Sequence, residues 1–342
     1  MRIGIPREVK DGEFRVALSP QAIRGLPVVV EPGAGAGVGF TDDQYLKAGA
    51  TLGDPWQCEL VVKVKELQES ECAKPRPGQL VFGFQHFGPH PELLDAALAS
   101  GATFLAFETV GQSSGLPILS PMSAIAGRLA VQMGAWCLLK QNGGSGVLLP
   151  GLDGVPPGKV VILGAGNVGS NALAVAHGIG ANVTVYARSS TRFAGLRTLH
   201  PRADFRTGKP TIGDADLVIA GVLTPGQMSP KLITRAMLRE MRPGSAFVDV
   251  GIDQGGVAET SRPTSHSAPT YVEEGVVHYC VPNMPAACAR TASLALETAV
   301  LPFVRKIVAG DLADLTSAIQ VKAGKVTHQQ LARDTGRAYC AL

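Results

Sequence analysis

One stretch of the sequence decides the fold class: Val160-Val161-Ile162-Leu163-Gly164-Ala165-Gly166-Asn167-Val168-Gly169. An apolar run typical of a buried parallel strand leads directly into the pattern Gly-x-Gly-x-x-Gly, and a helix-like segment follows it. In such a turn, the first glycine allows the tight bend and the second lets the backbone approach a pyrophosphate. The third lets the helix pack closely on the strand. The N–H groups at the start of the helix then receive the phosphates.

The surroundings of this turn favour a dinucleotide site over a plain packing turn. A second apolar strand is predicted at Asn182 to Tyr186, at the distance expected for a β-α-β unit. Glycine-rich turns without a ligand also occur between strands and helices. We interpret the complete strand–turn–helix–strand pattern as a dinucleotide-binding unit in which Gly164, Gly166, Asn167, Val168 and Gly169 contact the coenzyme.

The end of the second strand predicts which coenzyme is bound. An acidic residue about 20 positions after the first glycine normally bonds the ribose 2′-hydroxyl of NAD. Here Ala187 takes that position, followed by Arg188, Ser189 and, slightly later, Arg192. Arginine forks and hydroxyl donors match a 2′-phosphate, so the sequence favours NADP(H), with NAD(H) possible. The alternative is that the two arginines are solvated loop residues.

Length and composition indicate a globular protein of about two domains. The 342 residues are 45% hydrophobic and 17% charged, and the net charge of +3 is too small to indicate nucleic-acid binding. The six cysteines form no Cys-x-x-Cys pair, so we expect reduced thiols, no metal site and a cytoplasmic protein. The N-terminus is not typical of a signal peptide, and no uninterrupted apolar run approaches the roughly 18 residues of a membrane span.

The distribution of short apolar runs predicts an α/β protein. Long helices are expected from Ser120-Pro121 to about Lys140 and from about Thr291 to Val308, and a further helix is expected to begin at Ser19-Pro20. Strands are predicted at residues 2–6, 28–30, 60–66, 80–86, 102–107, 160–163, 182–186, 216–223, 246–250 and 277–281.

Charged residues follow several of these strands, where ligands bind in open α/β sheets. Lys65 ends one predicted strand and His86 ends the next, and a histidine there is a candidate proton carrier because it titrates near neutrality. The alternatives are a solvated lysine and a core histidine. Asp253 lies in a glycine-rich turn just past another strand. Arg15 lies just before Ser19, where a solvated arginine is the simpler local interpretation.

Several motifs together resemble the alanine dehydrogenase family, which also contains the alpha subunit of proton-pumping nicotinamide nucleotide transhydrogenase. The resemblance covers nearly the whole chain in the right order. The motifs are Glu13-Phe14-Arg15-Val16-Ala17, Lys63-Val64-Lys65-Glu66, Phe84-Gln85-His86, Pro121-Met122-Ser123, Gly127-Arg128-Leu129-Ala130, the glycine turn, Ile252-Asp253-Gln254-Gly255-Gly256, Ser261-Arg262-Pro263-Thr264 and Asn283-Met284-Pro285.

The resemblance implies two Rossmann-like, doubly wound domains joined by long helices, with the active site in the interdomain cleft. The substrate domain would comprise residues 1–118 plus 296–342, and the dinucleotide-binding domain residues 119–295. His86 and Asp253 would be the catalytic pair, and the residues on the substrate would be Arg15, Lys65, Met122 and Asn283. Those along the coenzyme would be Ser123, Val222, Leu223, Val281 and Met284.

The implied activity is reductive amination of a small α-keto acid and, in reverse, oxidative deamination of the L-amino acid. Two alternatives stay open: an NADPH-dependent reductase that condenses a keto acid with a larger amine, as in carboxyethylornithine synthase, and a non-catalytic nucleotide-binding module. The partners would be the keto acid or amino acid with ammonia or an amine, without nucleic acid or membrane. The family suggests a homo-oligomer, either a dimer or a hexamer.

Overall fold

A computed structural model describes residues 1–113, 115–222 and 229–342 of the chain. The described residues form an α/β protein that divides into two compact units. Unit 1 consists of Met1–Met122 and Ala286–Leu342, and unit 2 consists of Ser123–Pro285. Each unit is built on its own sheet, and the strands and helices are numbered below along the whole chain.

Unit 1 contains an eight-stranded sheet in the order β15-β14-β6-β5-β4-β1-β2-β3. Strands β1 to β6 pair in parallel, whereas β14 and β15 extend the sheet in antiparallel pairing. The central strands are apolar and buried, as expected when both faces of a parallel sheet are covered. The strands are β1 Ile3–Ile5, β2 Val28–Val30, β3 Thr51–Leu52, β4 Leu60–Val62, β5 Leu80–Gly83, β6 Thr103–Ala106, β14 Ile319–Lys322 and β15 Lys325–Val326.

Unit 2 contains a seven-stranded sheet in the order β12-β13-β11-β10-β7-β8-β9. All neighbours pair in parallel except β12, which is antiparallel to β13. The direction of winding reverses between β7 and β10, which makes their ends the switch point where open α/β sheets bind ligands. The strands are β7 Lys159–Leu163, β8 Asn182–Ala187, β9 Asp204–Thr207, β10 Leu217–Ala220, β11 Ala246–Asp249, β12 Thr270–Glu273 and β13 Val276–Tyr279.

The helices begin and end at recognisable signals. Thr41 and Gln44 form a capping box at the start of α1, and Gly101 ends α2 in a left-handed conformation. The helices are α1 Asp42–Lys47, α2 Pro91–Ser100, α3 Leu119–Cys137, α4 Asn167–Gly178, α5 Phe193–Leu199, α6 Arg235–Arg239, α7 Ala289–Val308 and α8 Gln329–Thr335.

All ten predicted strands are present, but β4 ends at Val62 and β5 at Gly83, so Lys65 and His86 lie just beyond these strands rather than at their last positions. The helix expected after Ser19 is wrong. The residues after Ser19 form only turns, although the Ser19 hydroxyl does accept the backbone N–H of Ala22 at 3.3 Å, as an N-cap would. Gly25 and Pro27 follow too soon for a helix to propagate. The helix expected at Ser120 begins one residue earlier, at Leu119, and ends at Cys137 rather than near Lys140.

One segment, Met284–Val308, is long and apolar enough by length and composition to cross a membrane, and 39% of its most apolar window is buried. This segment contains α7, whose buried residues include Leu296, Val300 and Phe303 along one face. The carboxylate of Glu297 on the same helix accepts the backbone N–H of Ser19 at 2.7 Å. A buried apolar face combined with a bonded charge is typical of a core helix in a folded domain.

Candidate functional site

The glycine turn after β7 has the geometry that its three glycines predict. Gly164 adopts a φ of 106°, and a Cβ atom there would lie 2.9 Å from the carbonyl oxygen of Gly221. A Cβ atom on Gly169 would overlap the carbonyl oxygen of Gly164, so this position holds the helix against the strand. A Cβ atom on Gly166 would meet no atom within 4 Å. The open space at Gly166 is what the approach of a ligand to the backbone requires.

The start of α4 offers its backbone N–H groups to a ligand. Its N-cap residue is Gly166, and no side chain caps this end of the helix. Helix α3 packs directly on the turn, because a Cβ atom on Gly127 would overlap the carbonyl oxygen of Val168. An uncapped helix start carries a partial positive charge and suits an anion. The turn therefore fits the pyrophosphate of a dinucleotide.

Five candidate residues lie at or just beyond the carboxyl ends of parallel strands in unit 2. Since β7, β8, β10, β11 and β13 all run in the same direction, these ends share one edge of the sheet. The residues are Gly164 after β7, Ala187 at the end of β8, Val222 after β10, Asp253 after β11 and Val281 after β13. Leu223, predicted beside the coenzyme, lies outside the described residues.

The remaining coenzyme candidates of unit 2 differ in exposure. Arg188, Ser189 and Arg192 are exposed beyond β8, and the Ser189 hydroxyl lies 3.0 Å from that of Thr191. Val281 and Met284 are buried, and Ser123 is half-buried on α3.

The substrate candidate Asn283 is half-buried and has a left-handed backbone, with a φ of 55°. A left-handed backbone is uncommon at residues other than glycine, and asparagine is one of the residues that tolerate it best.

Asp253 is exposed in a short 3₁₀ turn, whereas its neighbour Asp249 is buried. One Asp249 oxygen accepts the N–H of Gly251 at 3.0 Å, and the other accepts the N–H of Val257 at 2.7 Å and the hydroxyl of Ser261. Burial raises the pKa of Asp249 above its ordinary value, although these hydrogen bonds oppose the shift. Asp249 therefore shapes the turn, and Asp253 is the carboxylate that a ligand can reach.

Arg15 is buried in unit 1, so the simpler interpretation of a solvated arginine is wrong. Its exposed fraction is 2%, and it forms a bidentate pair with Glu13, with distances of 2.7 Å from Nε to Oε1 and 2.5 Å from Nη2 to Oε2. Its Nη1 atom lies 3.2 Å from the sulfur of Met122, another predicted substrate residue. A buried, oriented guanidinium is suited to recognising a carboxylate.

Lys65 and His86 are brought together by a residue that the sequence did not single out. The carboxylate of Glu66 lies 3.3 Å from the Lys65 Nζ atom and 2.9 Å from the His86 Nδ1 atom, and it also contacts the Lys10 ammonium group. The Lys65 side chain is only 8% exposed, so the alternative of a solvated lysine is wrong. The His86 side chain is 38% exposed and is therefore not a core histidine.

The surroundings of Glu66 favour its ionised form. Burial by itself would raise the pKa of Glu66, but the hydrogen bond from His86, the charge of Lys65 and the hydrogen bond from Lys10 hold this pKa below its ordinary value. An ionised carboxylate can only accept hydrogen bonds. Glu66 therefore offers only hydrogen-bond acceptors to the Nδ1 side of the His86 ring.

The backbone of His86 is held by a second carboxylate, Glu108, just after β6. The Glu108 side chain accepts the N–H of His86 at 2.8 Å and that of Gln85 at 3.2 Å. His86 has a left-handed backbone, with a φ of 46°, and its ring stacks on Phe84 at a centroid distance of 5.7 Å. The ring is thus fixed both from its backbone and from its face.

The turn that carries Lys65 and Glu66 is supported by a buried ionic network. Lys63 is 1% exposed, and its ammonium group pairs with Glu71 at 3.0 Å and Glu8 at 3.4 Å. The same ammonium group donates to the backbone carbonyls of Lys65 at 2.9 Å and Glu66 at 3.1 Å. The attraction of the two carboxylates outweighs burial and raises the pKa of Lys63, so the lysine is charged.

Sequence reasoning missed the acidic partners of the predicted cations: Glu13, Glu66 and Glu108. Two of them could have been noticed, because Glu66 follows Lys65 directly and Glu108 follows β6 at the same edge as Lys65 and His86.

Within residues 1–113, 115–222 and 229–342, no group of three or more acidic, histidine or cysteine side chains is placed to hold a metal ion.

These features define a class: a two-unit α/β protein with a Rossmann dinucleotide turn in one unit and, in the other, a buried arginine and lysine with a half-buried histidine. Profiles described as alanine dehydrogenase/PNT match residues 4–126 with the N-terminal domain and residues 130–331 with the C-terminal domain. The chain belongs to this family.

Individual relatives agree with the family match over nearly the full length. The chain is 44% identical to an alanine dehydrogenase of Halomonas elongata, covering 99% of this chain and 98% of that protein. A solved L-alanine dehydrogenase superposes with a TM-score of 0.95 at 42% identity, covering 98% of this chain and 99% of the other. A transhydrogenase structure from Sinorhizobium meliloti gives 0.83 at 27% identity, covering 96% and 99%.

Proposed function

We propose that this protein is an alanine dehydrogenase: an NAD(P)-dependent oxidoreductase that acts on the CH–NH₂ group. It interconverts L-alanine with pyruvate and ammonia, and the support from its relatives is that they are named alanine dehydrogenases. The observation that carries this proposal is the joining of Lys65 and His86 through Glu66, since a mere nucleotide-binding module has no use for two oriented proton donors. The substrate domain expected at residues 1–118 plus 296–342 corresponds to unit 1, and the dinucleotide-binding domain expected at residues 119–295 corresponds to unit 2, although the units divide at Met122 and Ala286.

Arg15 binds the carboxylate of the substrate. Its pairing with Glu13 fixes the plane of the guanidinium, and an oriented guanidinium is the group that recognises a carboxylate best. Met122 lies against this arginine and fills the space beside a small side chain. Asn283 is the second polar contact to the substrate.

Lys65 and protonated His86 polarise the carbonyl of the keto acid while ammonia attacks its carbon. The carbonyl oxygen takes up a proton from His86, and loss of water then gives the imine. Asp253 is the second proton carrier of this sequence. The nicotinamide coenzyme, held at the glycine turn by Gly164, Gly166 and Gly169, supplies or accepts the hydride when bound.

Kinetics with variants of the two proposed catalytic residues test the proposal. We expect His86→Ala and Asp253→Asn each to lower kcat by about 100-fold or more, because general acid–base catalysis is typically worth that much. Coenzyme binding, followed by quenching of protein fluorescence, should stay close to wild type in both variants. Turnover at the wild-type rate in both variants would remove these assignments.

The substrate is tested with a panel of keto acids and amines, using the absorbance of the reduced nicotinamide. The proposal expects pyruvate with ammonia to give the highest kcat/KM. Preference for a larger amine would instead establish a condensing imine reductase. Tight coenzyme binding without turnover of any pair would establish a nucleotide-binding module.

For the coenzyme, we propose NADP(H) over NAD(H). The support is the neutral Ala187 at the end of β8 together with exposed Arg188, Ser189 and Arg192 just beyond it. A carboxylate introduced by Ala187→Asp would repel a 2′-phosphate and bond a ribose hydroxyl. We expect this variant to shift the ratio of kcat/KM values toward NADH by at least about tenfold, on the scale of one charged hydrogen bond. An unchanged ratio contradicts the NADP assignment.

We further propose a cytoplasmic homo-oligomer. All six cysteines are free thiols, which suits a reducing compartment. The segment between α3 and β7 exposes three apolar side chains, Leu148, Leu152 and Val155, at 60%, 72% and 57%. Apolar clusters of this kind suit contacts between subunits. The mass in solution tests the assembly, and a monomer at all concentrations would contradict it.

A further inference from the structure

The carboxylate of Glu66 lies at the centre of the charged residues of unit 1. It is 3% exposed and contacts two ammonium groups, those of Lys65 and Lys10, besides the imidazole of His86. None of the proposed chemical steps uses Glu66 directly. A buried carboxylate that touches both proposed proton donors nevertheless controls their charge and orientation.

We propose that Glu66 is a positioning residue that fixes the proton of His86 on Nδ1 and thereby makes Nε2 the atom that exchanges a proton with the substrate. This inference rests on the proposed function, since it concerns how the same site works. Because Nδ1 donates to Glu66 at 2.9 Å, only Nε2 can hand a proton outward.

The proton balance of the step is complete with this assignment. As the nitrogen of ammonia bonds to the carbonyl carbon, the π electrons of the C=O bond move to oxygen, and oxygen takes the proton from Nε2 of the imidazolium. His86 is left neutral with its proton on Nδ1, still donated to Glu66. In deamination, the neutral Nε2 atom takes the proton back. Glu66 stays ionised throughout and stabilises the imidazolium whenever it forms.

The surroundings of His86 leave the ring little freedom to adopt another arrangement. Phe84 stacks on it with the two ring planes inclined by 13°, and Glu108 fixes its backbone N–H. The charged groups facing the ring are Glu66 with its partners Lys65 and Lys10, and Glu108 acts on the backbone side. Loss of Glu66 would therefore change the charge at Nδ1 more than the position of the ring.

The Glu66→Gln variant tests the proposal because it keeps the shape of the side chain and removes its charge. We expect kcat to fall by about 10- to 100-fold, as is typical for the loss of a carboxylate behind a functional histidine. Without the anion, the imidazolium is less stable. The limb of the pH–rate profile that reports His86 should therefore move to lower pH in both directions of the reaction, while coenzyme binding stays unchanged. Glu66→Asp, which keeps the charge, should retain the wild-type profile.

The chain offers a matched control in Glu92, which pairs with Nδ1 of His90 at 3.2 Å on the surface. Glu92→Gln removes the same kind of pair and should leave both the rate and the pH profile unchanged. A Glu66→Gln enzyme that loses activity without any movement of the profile would overturn the positioning role in favour of a purely structural one. So would a variant with the rate and profile of the wild type.

A second measurement does not depend on turnover. Nitrogen NMR of the wild-type protein labelled at histidine should show neutral His86 with its proton on Nδ1. A proton on Nε2 would overturn the inference even if the enzyme is an alanine dehydrogenase. Conversely, the Nδ1 tautomer in a protein without activity toward any keto acid would contradict the proposed function and leave the Glu66–His86 pairing intact.

Discussion

Both sheets have candidate residues at the carboxyl ends of their parallel strands, but the two units would bind their ligands in different ways. In unit 1, charged side chains are buried and paired, as with Arg15 and Glu13 or, just beyond the carboxyl end of β4, Lys65 and Glu66. At the carboxyl edge of the second sheet, the central feature is a turn built on three glycines, which have no side chains: Gly164, Gly166 and Gly169.

The difference reflects the ligands proposed for the two edges. A keto acid is small, so each of its polar groups needs a side chain that reaches it and is held in place by a partner. A dinucleotide brings phosphates that backbone N–H groups can bind, provided that no Cβ atom blocks them. The first edge is therefore sensitive to loss of charge, and the second to addition of atoms.

The largest effect is expected from removing the charge of Glu13, the partner of Arg15 in unit 1. Glu13→Gln deprives a buried guanidinium of its bidentate carboxylate, and breaking such a pair typically costs about 3–5 kcal/mol. The free energy of unfolding, measured with urea, should fall by that amount. The KM for the keto acid should rise because Arg15 loses its orientation.

The control for Glu13 is an exposed pair in the same unit, between Arg2 and Glu59, at 3.8 Å. Glu59→Gln should change the free energy of unfolding by less than about 1 kcal/mol, since exposed pairs are weak. Equal losses in the two variants would mean that burial does not distinguish the charged edge from the surface.

The next effect concerns added atoms at the glycine turn of unit 2. In Gly169→Ala, the new methyl group would overlap the carbonyl oxygen of Gly164, so β7 and α4 must separate. We expect a loss of about 1–3 kcal/mol in unfolding free energy, typical of overpacking, together with loss of coenzyme binding. Calorimetry and fluorescence titration measure the two quantities.

Two further glycines sharpen the test of that turn. Gly166→Ala has open space and should fold normally, but bind the coenzyme at least about tenfold more weakly if the backbone approaches a pyrophosphate there. Gly178, at the far end of α4, also has open space, and Gly178→Ala should change neither property. Weakened binding in Gly178→Ala would show that the effect does not come from the phosphate end.

The smallest effect is a pH dependence that arises in unit 2 from buried, neutral His278. Its Nδ1 atom donates to the Val276 carbonyl at 2.9 Å, and its Nε2 atom accepts from the Thr260 hydroxyl at 2.8 Å. Burial, assisted by the charges of Arg262 and Arg235, lowers the pKa of His278, against weaker opposing effects of Val276 and Glu273.

Because the pKa of His278 is lower in the folded state, its stabilising effect is present above the ordinary histidine value. It is lost as the pH falls below that value toward the folded pKa. We expect urea unfolding to show a loss on the order of 1 kcal/mol from this group between about pH 7.5 and pH 5.5. His278→Gln should flatten the dependence, whereas His266→Gln, at an exposed site, should keep the wild-type slope. A wild-type slope in His278→Gln would contradict the assignment.

The strands and the glycine turn could be predicted because local sequence determines them. Apolar runs such as Val160 to Leu163 and Leu80 to Gly83 are typical of buried strands because they are short and are followed by glycine, and glycines mark the turn that follows β7. Strands β3, β9, β12, β14 and β15 were missed. They are short or mixed in composition and lie toward the margins of their sheets, where pairing with a neighbour outweighs local propensity.

The candidate site was predicted only in part. Lys65 and His86 could be singled out because they follow strands and suit the chemistry, whereas the role of Arg15 came only from the family resemblance. The burial of Arg15 and Lys65 could not be predicted, since an arginine or lysine is usually exposed unless it is paired. The positions of Glu66 beside Lys65 and of Glu108 after β6 were signals in the sequence, but the distances that join Glu13, Glu66 and Glu108 to the site come only from the tertiary structure.

The sequence by itself determined the α/β class, the dinucleotide turn and the family of this protein, because these depend on residue types at fixed spacing along the chain. Only the tertiary structure decided that Glu66 joins Lys65 to His86 and that Glu108 holds the His86 backbone. The physical reason is that parallel strands distant in sequence end side by side. Charges meet there in a buried environment, where hydrogen bonds and ion pairs set which atom carries a proton.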